Sequence, residues 1–303
     1  MDFLTTAFAS EGYVDIWNLD SAYLLSENGE KIVEHRQEVG YHDTVAKKHV
    51  YQFCIIPNTG FLSNPDLLLK DVELKLCFDR ADPQQAILCA DAEWANNPNF
   101  KLEIKDCYAM TEYVSSPDLR SYFDSIDYAP LKYDYEDCEV IVKSIPQGDT
   151  VVRFDNLRGG NTPTHIFIGF IESKALNGNH AYASTRFSPH HVEYMNISLN
   201  GNSVNGYPMQ IKHNMKAQPI QKFFACTDRT CNINAGKMML PNEFDFNWIW
   251  SHKFEAEDAA VGWIGADFKL KQAYNESMSM VVWIVSQSCI AIDKFHQIEK
   301  ITY

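Results

Sequence analysis

The sequence predicts an all-β fold, a sandwich or a barrel, with one short helix. Aromatic residues make up 13% of the 303 residues, and aromatic side chains suit the pleated, half-buried surface of a sheet. Short apolar runs recur along the chain, separated by Gly, Pro, Asn or Asp residues that are typical of turns. With 46% hydrophobic residues, the chain can bury one large core or two smaller ones.

The first third of the chain contains three predicted strands. Residues 49–56 are dense in apolar side chains, which is typical of a strand that is buried on both faces. At 72–78 and at 100–105, apolar residues alternate with charged ones, which indicates strands with one buried face. Residues 1–48 are mixed and polar, and no fold is predicted for them.

One helix is predicted at residues 116–126. Ser116 is a suitable N-cap and Pro117 occupies the first helical position. The apolar residues that would form one stripe of this helix are Leu119, Tyr122, Phe123 and Ile126. A change in composition across 92–98 predicts a boundary between two domains, residues 1–92 and 93–303.

The rest of the chain is predicted to be strands joined by turns. The predicted strands are 138–145, 164–171, 192–199, 245–250, 261–270 and 280–292. The last of them is an apolar segment in which Met280–Val285 runs into Ile290–Lys294. Such regular spacing of short strands favours a sandwich or a barrel.

The charge of the chain argues against nucleic acid as a direct ligand. The formal net charge is −14 and the sequence pI is about 5.1. Binding to a phosphate backbone draws its affinity from clustered Lys and Arg. The acidity is therefore interpreted as an aid to solubility.

The cysteines and the N-terminus predict a protein that is made in a reducing compartment and is not secreted. Several cysteines lie in apolar runs, as in Leu76-Cys77-Phe78, which predicts buried, reduced thiols. Cys226 and Cys231 are close in sequence, but without a second pair they are weak evidence for zinc. The first ten residues lack the features of a signal peptide. No stretch approaches the roughly 18 apolar residues of a membrane-spanning helix.

Two histidines are the strongest candidates for a metal site. His190-His191 resembles the start of a cupin-like site, which would also need Glu193 and a distant His213 or His252. Adjacent residues of a strand point to opposite faces, so both histidines cannot readily bind one ion. A polar strand start is the favoured interpretation, and a cupin-type metalloenzyme stays open as an alternative.

Other motifs are also interpreted as structural. Gly159-Gly160 precedes a predicted strand and not a helix, so the pair predicts a turn and not a phosphate site. Two acidic clusters are interpreted as solvated loops, and the alternative is a glycosidase pair: Asp134/Glu136/Asp137 and Glu255/Glu257/Asp258. No known catalytic signature is present. The prediction is that the protein is not an enzyme and has no catalytic, cofactor-binding or metal-binding residue.

An ordered run of motifs resembles one known family. The blocks that carry the resemblance are Cys138–Gly148, Thr164–Ile171, Ala175–Gly178, Asn196–Gly201, Gly206–Pro208, the strand ending at Leu270, and Val282–Asp293. They resemble the second jelly roll of the hexon-like major capsid proteins of Polinton/Maverick elements and adintoviruses, with the last two as its closing pair. Upstream, Asp66–Leu76 is similar to the last strand of that family's first jelly roll.

The resemblance implies a structural virion protein. It implies one complete C-terminal jelly roll over 93–303, preceded by the final strands of another over 1–92, because family members are longer at the N-terminus. It also implies homotrimers of pseudo-hexagonal outline in an icosahedral shell, with penton or minor capsid proteins as partners. A truncated or host-captured remnant of such a subunit is an open alternative, as is a cellular jelly-roll binding module for carbohydrate or protein. Aromatics at Phe244–Trp250 are assigned to the core in preference to a contact surface.

Overall fold

Most of the described chain lies in its C-terminal half. The computed structural model describes residues 41–43, 48–50, 61, 67–68, 72–77, 79, 82, 103–105, 107–109, 114, 124, 126, 129–179, 182, 187, 192–211, 217–226, 248–255 and 261–302. The strands are β1 (Tyr41–Asp43), β2 (Lys48–Val50), β3 (Leu131–Ile145), β4 (Val151–Asn161), β5 (His165–Glu172), β6 (Val192–Leu199), β7 (Asn202–Ser203), β8 (Met209–Gln210), β9 (Ile249–Lys253), β10 (Val261–Leu270), β11 (Met278–Ile292) and β12 (Ile298–Thr302). The helices are α1 (Ser173–Leu176) and α2 (Ala217–Cys226).

Strands β3 to β11 form a jelly roll. One sheet has the order β3-β11-β5-β9, and the other has the order β4-β10-β6-β7, with β8 also paired to β6. All of these pairs are antiparallel. The chain crosses between the sheets at most connections, so that strands consecutive in sequence lie in opposite sheets. The exceptions are β6, β7 and β8, which all lie in the second sheet. Two four-stranded sheets connected in this way are the jelly-roll arrangement, which confirms the predicted fold class.

The core fills the space between the two sheets. Inward-facing side chains of alternating positions meet there, as in other sandwiches. Phe170 of β5 and Phe268 of β10 contact each other across the gap, with ring centroids 4.8 Å apart. Trp248 and Trp250 are also buried in this core, which confirms the core assignment for these two residues, whereas Phe244 and Phe246 lie outside the described residues.

The apolar C-terminal segment is the central strand of its sheet. The two parts predicted for it are one continuous strand, β11, which pairs with β3 over its whole length without a register shift. On the other side it pairs with β5 along Met278–Val285 and with β12 along Ser288–Ile292. The resemblance made the strand ending at Leu270 its closing partner, but that strand is β10 and lies in the opposite sheet.

Two short elements cover parts of the first sheet. The segment after β5 packs Ala175 and Phe187 on Ile171 and Val281. Gly169 is required there, because an added Cβ would lie 2.7 Å from the Phe187 ring. The other element is α2, which packs against the edge strand β9 and buries its apolar side.

An ion cluster fixes the first of these elements. Lys174 of α1 contacts Glu276 at 2.6 Å and Glu172 at 3.2 Å, and lies over the Tyr182 ring. Burial opposes the charged form of Lys174, but its hydrogen bonds to Glu276, Tyr182 and Glu172 outweigh that effect and raise its pKa.

Several strand predictions are correct. β6 and β10 have the predicted bounds, and β5 and β11 differ from them by one or two residues. The strand predicted at 245–250 is instead β9, which begins at Ile249. The strand predicted at 138–145 is longer, because β3 begins at Leu131.

Other predictions are wrong. Residues 72–77 and 103–105 have no regular structure, and Leu74 and Ile104 are 46% and 62% exposed. Alternation of apolar and charged residues therefore did not mark buried strand faces there. β4 and β12 were not predicted. Of the strand predicted at 49–56, only the first two residues are described, within β2, and the helix predicted at 116–126 lies mostly outside the described residues.

Phe170→Ala tests the contact between the sheets. Phe170 is fully buried, so its truncation removes apolar contacts and leaves a cavity. We expect a loss of about 3–5 kcal/mol in the free energy of unfolding, measured by urea denaturation. The matched control is Phe295→Ala, because Phe295 is 73% exposed and its loss should change stability by less than about 0.5 kcal/mol. Equal effects of the two substitutions would contradict the packing described here.

Candidate assembly surfaces

Of the residues considered for a metal site, the structure describes Glu193 and His252, and it places them in different sheets. His190, His191 and His213 lie outside the described residues. Glu193 contacts Lys269 at 3.5 Å on the surface of the second sheet. His252 is buried in β9 of the first sheet, with its ring against those of Tyr207 and Phe254. Among the described residues, no group of three or more His, Cys, Asp or Glu side chains is placed to hold a metal ion.

The cysteines differ in exposure. Cys226, at the end of α2, is buried, and its burial raises the pKa of the thiol. Its possible zinc partner Cys231 lies outside the described residues. Cys289 is also buried, whereas Cys77, Cys107 and Cys138 are exposed. The prediction of a buried thiol is therefore wrong for Cys77, because the described residues 72–77 do not form a strand.

The first acidic cluster lies on a strand and not on a loop. Asp134, Glu136 and Asp137 belong to β3, and Asp137 forms an ion pair of 2.6 Å with Lys300 of β12. The loop interpretation is therefore wrong. The alternation of apolar and polar residues that indicates a strand is absent from this part of β3, because both faces of the strand carry polar side chains here. Of the second cluster, Glu255 is exposed and the other two residues lie outside the described ones.

The glycine pair also lies on a strand. Gly159 and Gly160 are the two residues before the last residue of β4, and they pair with Trp263 and Gly262 of β10. Gly160 has a φ of +117°, which favours glycine. The predicted turn is therefore wrong. Because Gly159 has no side chain, the opposite Trp263 remains 48% exposed on the outer face of the sheet.

The first sheet extends beyond the jelly-roll core. The far ends of β3 and β11 carry a second apolar cluster of Leu131, Tyr133 and Ile292. The residues packed against it from the N-terminal half are Phe61, Leu68, Val72 and Ile126. Tyr133 donates a hydrogen bond of 3.2 Å to the Leu67 carbonyl. This extension is therefore a platform on which described parts of the N-terminal half rest.

A charged residue separates the two apolar clusters. Arg158 of β4 reaches across to the first sheet, where it contacts Glu139 at 3.3 Å and donates a hydrogen bond of 2.9 Å to Ser286. Only 18% of its side chain is exposed. The guanidinium thus connects the edge strands β3 and β4 at the point where the sandwich ends and the platform begins.

Several large apolar side chains are exposed on strand β3 and in the turn between β11 and β12. Val140 and Val142 lie on β3, which is an edge strand within the described part of the chain. Phe295 lies in the β11–β12 turn. Its backbone N–H and that of Gln297 donate to the Asp293 carboxylate at 2.9 and 2.8 Å, so the exposed ring is held on an ordered turn. Singly exposed apolar side chains are normal on protein surfaces, and only a large contiguous patch of them indicates an interaction surface.

An open groove lies on the outer face of the second sheet. Its volume is about 360 Å³, and it is lined by Val151, Glu193, Tyr194, Gln210, Ile211, Asp267, Phe268 and Lys269. Beside it, the buried Asn196 donates a hydrogen bond of 2.9 Å to Asp267. Although Asn196 begins an Asn-Ile-Ser motif, its amide is held inside the sheet surface and is not presented to solvent.

Sequence reasoning missed the platform and the role of Arg158. Both depend on contacts between distant segments, which local patterns do not report. The only available signal was the length of the apolar segment at 280–292, which exceeds the usual strand length of about 5–6 residues. In the structure, the extra length carries β11 past the jelly-roll core to the second apolar cluster.

Comparisons with known proteins give partial matches. No family model matches the chain. A protein of Caenorhabditis elegans described as uncharacterized is 24% identical over 153 residues, which are 50% of this chain and 36% of the nematode protein. The chain therefore spans about a third of the length of that relative.

Among the described residues, neither helix has the length and hydrophobicity that a membrane-spanning helix requires.

Solved structures of viral capsids are similar to parts of the chain. The mavirus major capsid protein matches with a TM-score of 0.35 and 7% identity, over 57% of this chain and 42% of that one. The capsid of PBCV-1 matches with a TM-score of 0.37 and 10% identity, over 62% of this chain and 54% of that one. The PBCV-1 capsid protein fitted into a reconstruction of the virophage Sputnik matches with a TM-score of 0.36 and 10% identity, over 62% of this chain and 54% of that one. These overlaps are partial, and the jelly-roll assignment rests on the strand order.

Tyr133→Phe tests the platform. The substitution keeps the buried ring and removes the hydroxyl that donates to the Leu67 carbonyl. We expect a loss of about 0.5–1.5 kcal/mol in the free energy of unfolding, together with faster limited proteolysis on the N-terminal side of residue 129. The control is Tyr108→Phe, because Tyr108 is 77% exposed. Unchanged proteolysis in the Tyr133 variant would show that this hydrogen bond does not hold the N-terminal half.

Proposed function

We propose that the protein is a structural virion component, a hexon-like major capsid subunit or a remnant of one. In this proposal it forms homotrimers of pseudo-hexagonal outline that pack into an icosahedral shell, and its relatives are the capsid proteins of Polinton/Maverick elements and adintoviruses. It resides in the capsid after synthesis in the host cytoplasm or nucleus. Penton or minor capsid proteins are its other partners, and it does not bind nucleic acid directly.

The observation that carries the proposal is the strand order of residues 131–292. The eight-stranded arrangement β3-β11-β5-β9 and β4-β10-β6-β7 is the one that viral capsid jelly rolls use. The motif blocks of the resemblance fall on its strands and turns. Cys138–Gly148 covers the end of β3 and the turn after it, and Thr164–Ile171 covers β5. These two motif blocks therefore lie on strands and a turn of one jelly roll, which supports the proposal.

The platform favours a subunit of two packed domains. A second apolar cluster outside the jelly-roll core needs its own cover, and parts of the N-terminal half supply it. We propose that residues 1–92 belong to a first jelly roll and residues 93–303 to a second. The role is that of a scaffold without catalysis, and the described residues contribute interfaces.

Particle and oligomer measurements test the proposal. We expect the purified protein to elute as a trimer in size-exclusion chromatography with light scattering, because a capsomer is built from three subunits in this family. At higher protein concentration, negative-stain electron microscopy should show hexagonal outlines or shells. A protein that stays strictly monomeric at every concentration, with no assemblies on the grid, would contradict the capsid role.

One observation favours a second candidate function, a carbohydrate-binding module. Trp263 lies half-exposed on a sheet face beside the bare backbone of Gly159, and flat aromatic surfaces of this kind stack on sugar rings. A glycan array tests it. Binding that is lost in Trp263→Ala and kept in the matched Trp283→Phe variant would support this function, and the absence of any bound glycan would exclude it.

A further inference from the structure

The free edge of β3 is long and regular. The strand pairs with β11 on one side, and within the described ranges no strand pairs with its other side. From 136 to 144 it contains neither proline nor a register shift, and its side chains are exposed or half-buried. Such an edge presents a row of backbone N–H and C=O groups that can pair with another strand.

The outer face of this edge carries an exposed apolar row. Val140 and Val142 are 54% and 47% exposed, and Cys138 is also exposed. Directly opposite these valines on β11 lie Trp283 and Val281, which belong to the small core under Phe187. The apolar surface therefore continues from a covered cluster to the unpaired edge, where it is open to solvent.

The side chains of this edge are complementary to those of a second copy. Consider two such edges that run antiparallel and are centred on Val140, so that Val140 of each copy lies opposite Val140 of the other. Asp137 of each copy then lies opposite Lys143 of the other, and Cys138 lies opposite Val142. Opposite charges and apolar pairs at facing positions both stabilise a sheet. Glu139 of each copy faces the partly buried Ile141 of the other, but its carboxylate is already bound by Arg158. No like charges face each other from 136 to 144.

Neighbouring registers are less favourable. Centring the pair on Cys138 places Asp137 opposite Glu139 twice, and centring it on Glu139 places that carboxylate opposite itself. Centring it on Ile141 pairs Glu139 with Lys143 but leaves Asp137 opposite Ile145, which is fully buried. Like charges at facing positions are destabilising, which excludes the registers centred on Cys138 and on Glu139. The register centred on Val140 is favoured over that centred on Ile141, because its carboxylate faces the partly buried Ile141 and not the fully buried Ile145.

We propose that residues 136–144 of β3 are a self-association surface, through which two copies join their sheets edge to edge about a two-fold axis. The contact is isologous, because the same residues are contributed by both copies. Its area is small compared with that of stable dimers, so association depends on protein concentration. The inference does not rest on the proposed capsid role, since a two-fold contact can join monomers or larger assemblies.

Disulfide trapping tests the edge and its register. In a Cys138→Ser background, Val140→Cys places the two new thiols at facing positions, whose Cα atoms are about 4.5–5.5 Å apart in antiparallel pairs. That spacing permits a disulfide. With diamide as the oxidant, we expect a covalent dimer on non-reducing gels. The background variant reports dimers from the other cysteines, and Val151→Cys is the matched control, because Val151 is an exposed valine on β4.

A charge exchange provides the second test. Asp137→Lys and Lys143→Asp each place like charges at both facing positions, so each should weaken association about tenfold in sedimentation experiments. The double variant restores the opposite charges and should recover association, which a merely structural role of either residue would not produce. Thermal melts establish that all variants fold. Trapping no greater than that of Val151→Cys, or single variants that weaken association without recovery in the double variant, would overturn the inference.

Discussion

The uninterrupted pairing of β11 with β3 is the constraint on which the rest of the structure depends. β11 is hydrogen-bonded on both sides, to β3 throughout and to β5 and β12 along its two halves. Both of its faces are largely buried. A strand in this position fixes the register of the strands paired with it, because a slip of one residue would exchange its inner and outer side chains. Met280, Val282 and Ile284 would then move from the core between the sheets to the opposite face of their sheet.

Because β3 and β11 are long, their sheet packs against two different sets of residues. Along one half, their inner faces pack on the second sheet of the jelly roll. Along the other half, the same faces continue past that sheet and meet Phe61, Leu68, Val72 and Ile126. Arg158 lies at the transition, where a half-buried charge is accepted because Glu139 and Ser286 bind it. The two apolar clusters are thus joined by continuous backbone and not by a flexible linker.

The sequence allowed the jelly-roll strands to be predicted where burial alternates or is continuous. β6 and β10 satisfy that condition, and their bounds were predicted correctly. β4 does not, because its polar side chains and Gly159-Gly160 resemble a turn, and only its pairing with β10 makes it a strand. The reverse error occurred at 72–77, where apolar and charged residues alternate as in a strand but the chain has no regular structure. Pairing between distant segments decides both cases, and local composition does not contain it.

The same reasoning explains why the acidic residues of β3 were misinterpreted. In sequence, Asp134, Glu136 and Asp137 resemble a solvated loop, since carboxylates are rare in strands. In the structure Asp137 binds Lys300, a cation from a strand at the other side of β11. The polar character of this region therefore does not prevent strand formation, because an edge strand has solvent at its free side. What such residues do influence is which partner the free side accepts, since charge at facing positions favours one register and opposes the others. An acidic edge with one well-placed lysine is for this reason more selective than an apolar one, and less prone to general aggregation.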